Sequence, residues 1–255
     1  MNAIELIPVT ARIRWAKIFV LGSALYFLLQ LLEVHRLLMD DSEGIGTLLQ
    51  IIGTLYSVLY AFATYVIWGQ FTAVENEILK ESGSLKDLLV FSRPLGDKTR
   101  EPIVRAVKVY ARSVVETEWR SLSMGEDTQK TDRLFLEITT SVAEIKPEDD
   151  TQRIIFERLL EIANQASSHR DERLALSRKR MPRTLFIFVI LTACAILLLV
   201  LLYPFRHVLF GLSAVAIIST LLFFAHFVLS DLDNPFEGSW NVTNDPFGEL
   251  ITRFR

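Results

Sequence analysis

The chain has 255 residues, 51% of them hydrophobic, with a mean hydropathy of +0.32 and a formal net charge of −3. So small a charge gives no reason to expect nucleic-acid binding. The single cysteine, Cys194, excludes a disulfide framework. The apolar residues are not spread evenly: they form two pairs of runs separated by a long, charged, amphipathic stretch.

A helix needs roughly 20 apolar residues to cross about 30 Å of hydrocarbon. The first run, Trp15 to Leu32, is the shortest and is closed by Glu33, His35 and Arg36. It starts with basic residues like a signal peptide, but no small-x-small cleavage site follows, so it reads as an anchor. The second run, Gly46 to Trp68, holds no charge. The third, Thr184 to Tyr203, is almost purely aliphatic, and the fourth, Val208 to Leu229, has His226 as its one ionisable group. Helices are expected because a lipid-exposed backbone must satisfy its hydrogen bonds within the segment.

Basic residues near the span ends set the expected orientation. Arg12 and Arg14 precede span one, with Lys17 in its first turn, and Arg178, Lys179, Arg180 and Arg183 precede span three. The loop after span one has only Arg36 beside Asp40, Asp41 and Glu43, and the loop after span three only Arg206. Both termini and the middle region are therefore expected on the cytoplasmic side of the cell (inner) membrane.

The expected fold is all-α: four transmembrane helices with a helical cytoplasmic domain inserted between spans two and three. The divisions are an N-terminal tail (1–14), a hairpin of spans one and two (15–69), the cytoplasmic domain (70–183), a hairpin of spans three and four (184–230) and a C-terminal tail (231–255). Span two should continue past Trp68, because Val74, Ile78, Glu81, Leu85 and Leu88 keep helical spacing. It should break at Ser92, Arg93 and Pro94. A second helix fits Lys98 to Leu122 on Val104, Val107, Ala111, Val114 and Val115, and a third fits Lys130 to Ile145 beyond a loop at Gly125. A fourth begins near Pro147, Glu148, Asp149 and Asp150, where acids suit the positive end of a helix. Its apolar face is Ile155, Leu159, Ile162 and Ala166, and Pro182 should interrupt the path into span three.

Signatures of catalysis are lacking: there is no Gly-rich phosphate loop, no HExxH, no CxxC and no GxSxG. The histidines His35, His169, His207 and His226 are widely separated. No catalytic residue, metal site or cofactor is expected. His226 lies at membrane depth, where an ionisable residue is a functional candidate, although a histidine bonded to a neighbouring carbonyl is the plainer reading.

Span two carries two faces of interest. Gly53, Ser57, Ala61 and Thr64 make a stripe of small residues, suited to close helix contact or to a wettable pore lining. Leu55, Val58, Leu59, Phe62 and Val66 make a bulky face, suited to lipid, to packing or to a constriction that gates by dewetting. Tyr65 and Trp68 suit the membrane interface. After span four, Asp231, Asp233, Asn234, Pro235, Phe236, Glu237 and Gly238 predict a defined turn at the membrane interface. The carboxylates could hold a cation, but a full EF-hand pattern is missing; pairing of Asp231 or Asp233 with Arg180 or Arg183 is the alternative. The sequon at Asn241 falls on the expected cytoplasmic side.

Two stretches, Gly53–Arg93 and Ser230–Phe247, resemble the bacterial bestrophin-like domain family of unknown function. Trp68, Ala73, Glu81, Leu85 and Leu88 match its second-span extension. Tyr110, Glu116, Glu118 and Trp119 follow its next helix loosely, and Asp233, Pro235, Phe236 and Gly238 match its Asp-x-Pro-Phe-x-Gly tail. The resemblance implies a relation to bestrophins, pentameric anion channels whose second span lines the pore and carries a narrow apolar neck. The bestrophin Arg-Trp-Trp-Glu-type motif is absent; Trp68, Gly69, Gln70 and Phe71 stand there.

The expected function is an ion channel for a small anion, a homo-oligomer in the lipid bilayer. Its pore or gate candidates are Gly53, Ser57, Phe62, Thr64, Val66 and Trp68. A non-conducting scaffold or sensor that binds a partner through its cytoplasmic helices is the alternative.

Overall fold

The computed structural model describes residues 9–126 and 129–253; of residues 9–15, 18 and 253 only the backbone is described. The expected N-terminal tail, with Arg12 and Arg14, thus lies outside the described residues except for backbone. Every regular element among the described residues is helical. The helices are α1 (Val9–Leu31), α2 (Val34–Leu37), α3 (Ser42–Phe91), α4 (Asp97–Ser113), α5 (Trp119–Met124), α6 (Gln129–Ala143), α7 (Asp150–Ser177), α8 (Arg183–Leu202), α9 (Val208–Leu232) and α10 (Asp245–Arg253). A π turn over Val114–Glu118 joins α4 to α5.

Among the described residues, three helices are long and apolar enough to cross a membrane, namely those beginning at Ser42, Arg183 and Val208; α1 contains a shorter apolar stretch, Phe19–Leu31. The chain divides into two compact units. The first comprises residues up to Trp68 together with Arg180–Asp233, and the second Gly69–Lys179 together with Asn234–Arg255.

In the first unit two apolar clusters hold the helices. One joins Ala63 and Ile67 of α3 to Met181, Val189, Leu229 and Leu232. The other joins Tyr26 of α1 to Ile196, Val200, Leu201 and Val215. Tyr26 is fully buried against Gly211 of α9, where the lack of a side chain makes the room its ring needs. His35 closes the same end by pairing its Nε2 with the Leu201 carbonyl at 2.9 Å. The turn into α8 is held by Asp233, whose Oδ1 accepts the Met181 N–H at 2.7 Å. Burial pushes the Asp233 carboxyl up, while this bond and the Arg180 charge pull against it. The expected link between Asp233 and the basic flank thus takes the form of a backbone bond beside Arg180.

The second unit is built on one core. Val74, Ile78, Leu85, Leu88 and Leu89 of α3 pack with Ile103, Val107, Tyr110 and Val114, with Phe135, Ile138 and Val142, and with Leu159, Ile162 and Ala166. Fully burying a Leu, Ile or Val side chain contributes roughly 1.5–3 kcal/mol before entropy is counted. Helix α7 begins as its acids predict: Asp149 is the N-cap, and its side chain accepts the Gln152 N–H at 2.7 Å. Such a cap contributes about 1 kcal/mol. The break before Pro94 falls where expected, with a short 3₁₀ turn over Arg93–Leu95.

Two features differ from expectation. The helix foreseen over Lys98–Leu122 is interrupted by the π turn, where the Thr117 hydroxyl donates to the Ser113 carbonyl at 2.6 Å. The C-terminal tail is more than a turn: it ends in α10, whose Phe247 and Leu250 join the core. That helix is only nine residues long, too short for its periodicity to stand out from a polar tail.

Candidate functional site

Within the first unit, α3 packs through one side only. Tyr56, Tyr60, Ala63 and Ile67 recur at helical spacing and face α8 and α9. The Tyr60 hydroxyl donates to the Ala225 carbonyl at 3.2 Å. Leu55, Val58 and Phe62 point away from this packed side; Val58 is 63% exposed and Phe62 56%. Trp68 is also exposed, and Val66 is half-buried.

The small-residue stripe is not the contact within this chain. Nothing approaches within 4 Å of the place a Gly53 side chain would occupy, and Ser57 and Ala61 are exposed. Thr64 is half-buried. Ser57 and Thr64 donate to the carbonyls of Gly53 and Tyr60 at 2.9 and 2.8 Å. Such internal bonds satisfy hydroxyls on a helix surface without a partner helix.

The residues expected to form the turn fall in both units, and the first of them, Asp231, is still in the last turn of α9. Asp231 and Asp233 belong to the first. In the second, Phe236 is buried edge-on to Trp119, with ring centroids 5.1 Å apart. The Pro235 carbonyl accepts the Val242 N–H at 2.8 Å, and Gly238 adopts φ 96°, a left-handed conformation that glycine tolerates at no steric cost. Asn234 donates to the Ser123 carbonyl at 3.0 Å. The tail is thus a folded element of the second unit. No group of three or more His, Cys, Asp or Glu side chains with metal-site geometry occurs among the described residues.

The second unit contains a buried ionic centre. Arg173 of α7 is fully buried and pairs with Glu81 of α3 through Nε (2.6 Å) and Nη2 (3.3 Å). The same Nη2 reaches Glu118 at 2.7 Å. Arg170, one turn earlier, bonds Glu118 at 3.2 Å, Asp132 at 2.6 Å and the Tyr110 hydroxyl at 3.1 Å. Tyr110 donates to Glu81, and Thr131 to Glu118. At the partly buried edge, Glu77 pairs with His169 at 2.8 Å and with Lys80 at 2.6 Å.

Burial works to raise the Glu118 carboxyl, but the Arg173 and Arg170 guanidiniums outweigh it and hold it below the usual value. Burial also opposes the charge on Arg173, yet Glu81 and Glu118 keep it firmly protonated. Tyr110 is pushed well above the usual phenol value, first by burial and then by Glu81. The centre is therefore charged and internally balanced, two carboxylates against two guanidiniums, with Asp132 at its rim.

The π turn explains how Glu118 reaches it. At about 100° per residue, eight α-helical residues would swing Glu118 roughly 80° away from Tyr110. One residue absorbed in a π bulge cuts that to roughly 20°, so both project to the same place.

Arg170 and Arg173 were not among the expected site residues. The signal was present in the spacing: the apolar face Leu159, Ile162, Ala166 continues at Arg170 and Arg173, so two arginines occupy core positions. Glu81 likewise interrupts the apolar row between Ile78 and Leu85.

The arrangement is that of an all-helical membrane protein, with long apolar helices in one unit and an ion-paired helical core in the other. The chain belongs to the bestrophin-like family: the Bestrophin-like domain matches residues 16–247. Its fold is similar to crystal structures of a bacterial bestrophin homolog from Klebsiella pneumoniae. One variant gives a TM-score of 0.72 at 11% identity, covering 94% of this chain and 99% of that one. A second variant gives 0.70 at 12% identity, covering 97% and 96%. The structure solved by zinc phasing gives 0.68 at 11% identity, covering 92% and 94%. At such identities the likeness is one of fold. No curated protein sequence matches the chain.

Proposed function

We propose that the chain is one subunit of a homo-oligomeric ion channel in the cell (inner) membrane, passing small anions along a path lined by α3. In this reading α1, α3, α8 and α9 are the four spans, and the second unit and both termini are cytoplasmic.

The observation that carries the reading is the division of labour on α3. Its Tyr56–Ile67 side is used up in packing inside the chain, while Leu55, Val58 and Phe62 are left uncovered. Copies of α3 arranged about an axis would turn that row toward a shared lumen, where bulky apolar side chains can gate by dewetting. Val66 and Trp68 lie farther along the same helix, toward its cytoplasmic end. Ser57 and Thr64 lie on another side of α3, roughly 130–155° around the helix from that row, and spend their hydroxyl protons on α3 carbonyls. Membership of the bestrophin-like family supports the channel reading.

The test is ion flux through purified protein in liposomes, with oligomeric state measured on the same sample. Wild-type protein should pass chloride, and Phe62→Ala or Val66→Ala should raise the leak several-fold. Reversal potentials under chloride and sodium gradients identify the permeant ion. A well-inserted oligomer that passes neither ion sinks the proposal and favours the scaffold or sensor.

A further inference from the structure

At about 100° per residue, Leu48, Ile51, Leu55, Val58, Phe62 and Tyr65 of α3 fall in one sector roughly 100° wide, which also holds Val66. The first six are 41–77% exposed, and Tyr65 is the most exposed of them. From Leu48 to Tyr65 the sector is an uncovered strip about 25 Å long.

Tyr65 stands apart from the other two tyrosines of this helix. Tyr56 and Tyr60 lie roughly 140–180° around from it, on the packed side, with ring centroids 5.9 Å apart. The Tyr60 hydroxyl is spent on the Ala225 carbonyl, whereas the Tyr65 hydroxyl bonds no described residue. Between Leu48 and Val66 it is the one polar side-chain group in the sector. Thr54, just beyond the sector's edge, donates to the Gln50 carbonyl at 2.8 Å. No charged side chain stands on α3 between Glu43 and Glu75.

A strip of this make-up treats the two signs of ion differently. Cation pathways use rings of carboxylates or free backbone carbonyls. The strip has no carboxylate, and the carbonyls along it are spent inside a continuous helix. One phenol oxygen per copy is a poor substitute for them. A phenol does carry an O–H donor, and a hydrogen bond to an ionised acceptor is roughly twice as strong as one to a neutral acceptor.

We propose that Tyr65 is a specificity-determining residue of the ion path. Its hydroxyl donates to a small anion at the cytoplasmic end of the apolar row, where the ion leaves the dewetted stretch. The proposal rests on the reading that copies of α3 surround a lumen. It goes beyond that reading by assigning the preference for anions to one hydroxyl per subunit rather than to the bulk of Phe62 or Val66.

The test uses the full chain in liposomes, with reversal potentials measured in sodium chloride gradients. Tyr65→Phe removes the oxygen and keeps the ring. The ratio of chloride to sodium permeability should fall at least threefold. Tyr60→Phe, which removes a hydroxyl from the packed side, should leave the ratio unchanged. In a Cys194→Ser chain, Tyr65→Cys should react with water-soluble thiosulfonates. An anionic reagent should cut chloride flux at least fivefold, and a cationic one should not. A conducting wild type whose ratio survives Tyr65→Phe overturns the inference and leaves the channel reading standing. So does a Tyr65→Cys chain that conducts but is not modified, or is modified without effect on flux; Tyr65 is then an anchor in the lipid interface. A wild-type path that prefers sodium overturns it as well. No flux from well-inserted wild type sinks the channel reading and this inference together.

Discussion

Arg173 and Glu81 form a two-point ion pair, Nε to Oε2 at 2.6 Å and Nη2 to Oε1 at 3.3 Å, with both side chains fully buried. A buried pair of this kind adds little net stability over an apolar pair, but losing one partner strands the other charge. Arg173→Met should therefore destabilise the protein by about 3–5 kcal/mol, read as a lower unfolding midpoint in detergent. Adding Glu81→Leu should recover part of the loss, because Arg170 still serves Glu118. If the double variant is no better than the single one, the pairing is not what the arginine supplies.

The same centre makes the fold sensitive to acid. Glu118 is held below its ordinary value of 4.5 by Arg173 and Arg170 against the opposing effect of burial. Glu77 is also lowered: burial opposes ionisation, but Lys80 and His169 prevail. A lowered folded pKa means that the unfolded chain takes up protons first as pH falls. The stabilisation is thus fully present above the ordinary carboxylate value and is lost as pH drops through the depressed one. Unfolding midpoints measured from pH 7 to pH 3 should hold nearly level and then fall below about pH 4.5. Glu118→Gln should flatten that fall, and an unchanged slope would count against the assignment.

In the first unit, a side chain at Gly211 would collide with the Tyr26 hydroxyl and ring and lie 3.0 Å from Phe205. Tyr26 is fully buried, so it has nowhere to swing. Gly211→Ala should cost about 1–3 kcal/mol by overpacking, and Tyr26→Leu in the same chain should relieve most of it. Thermal stability of the wild type and the two variants in detergent decides the matter.

The tail should be as sensitive as a core helix. Phe236 is buried edge-on to Trp119, and Phe247 lies beneath the Arg173 guanidinium at 5.5 Å. Phe236→Ala should cost about 3–5 kcal/mol. Gly238→Val should also destabilise, because a β-branched residue resists φ 96°. Limited proteolysis of the Phe236→Ala protein should cut first between Asn234 and Asp245; a tail as resistant as wild type would argue against this packing.

Much of this architecture is visible in the order of residues. Long apolar runs announce the helices at Ser42, Arg183 and Val208, because hydrocarbon admits a backbone only when it bonds to itself. Pro94, Asp149 and Pro182 mark helix ends through local rules of backbone geometry and capping. The tail motif Asp233, Pro235, Phe236 and Gly238, together with Glu81, Tyr110, Glu118 and Trp119, also carries the family resemblance in plain view.

The meaning of those residues is a tertiary matter. Glu81 and Arg173 are 92 positions apart, and Tyr110 and Arg170 are 60 apart, so no local spacing pairs them. Glu118 joins them only because a π turn shifts its direction, which a helical pattern read at 3.6 residues per turn does not foresee. The small residues of α3 illustrate the same limit: composition marks Gly53, Ser57, Ala61 and Thr64 as a natural contact, yet the chain packs through Tyr56, Tyr60, Ala63 and Ile67. Local sequence determines where a helix begins, ends and tolerates lipid. Which of its faces meets a neighbour depends on what the distant elements leave to be filled, and only their packing decides it.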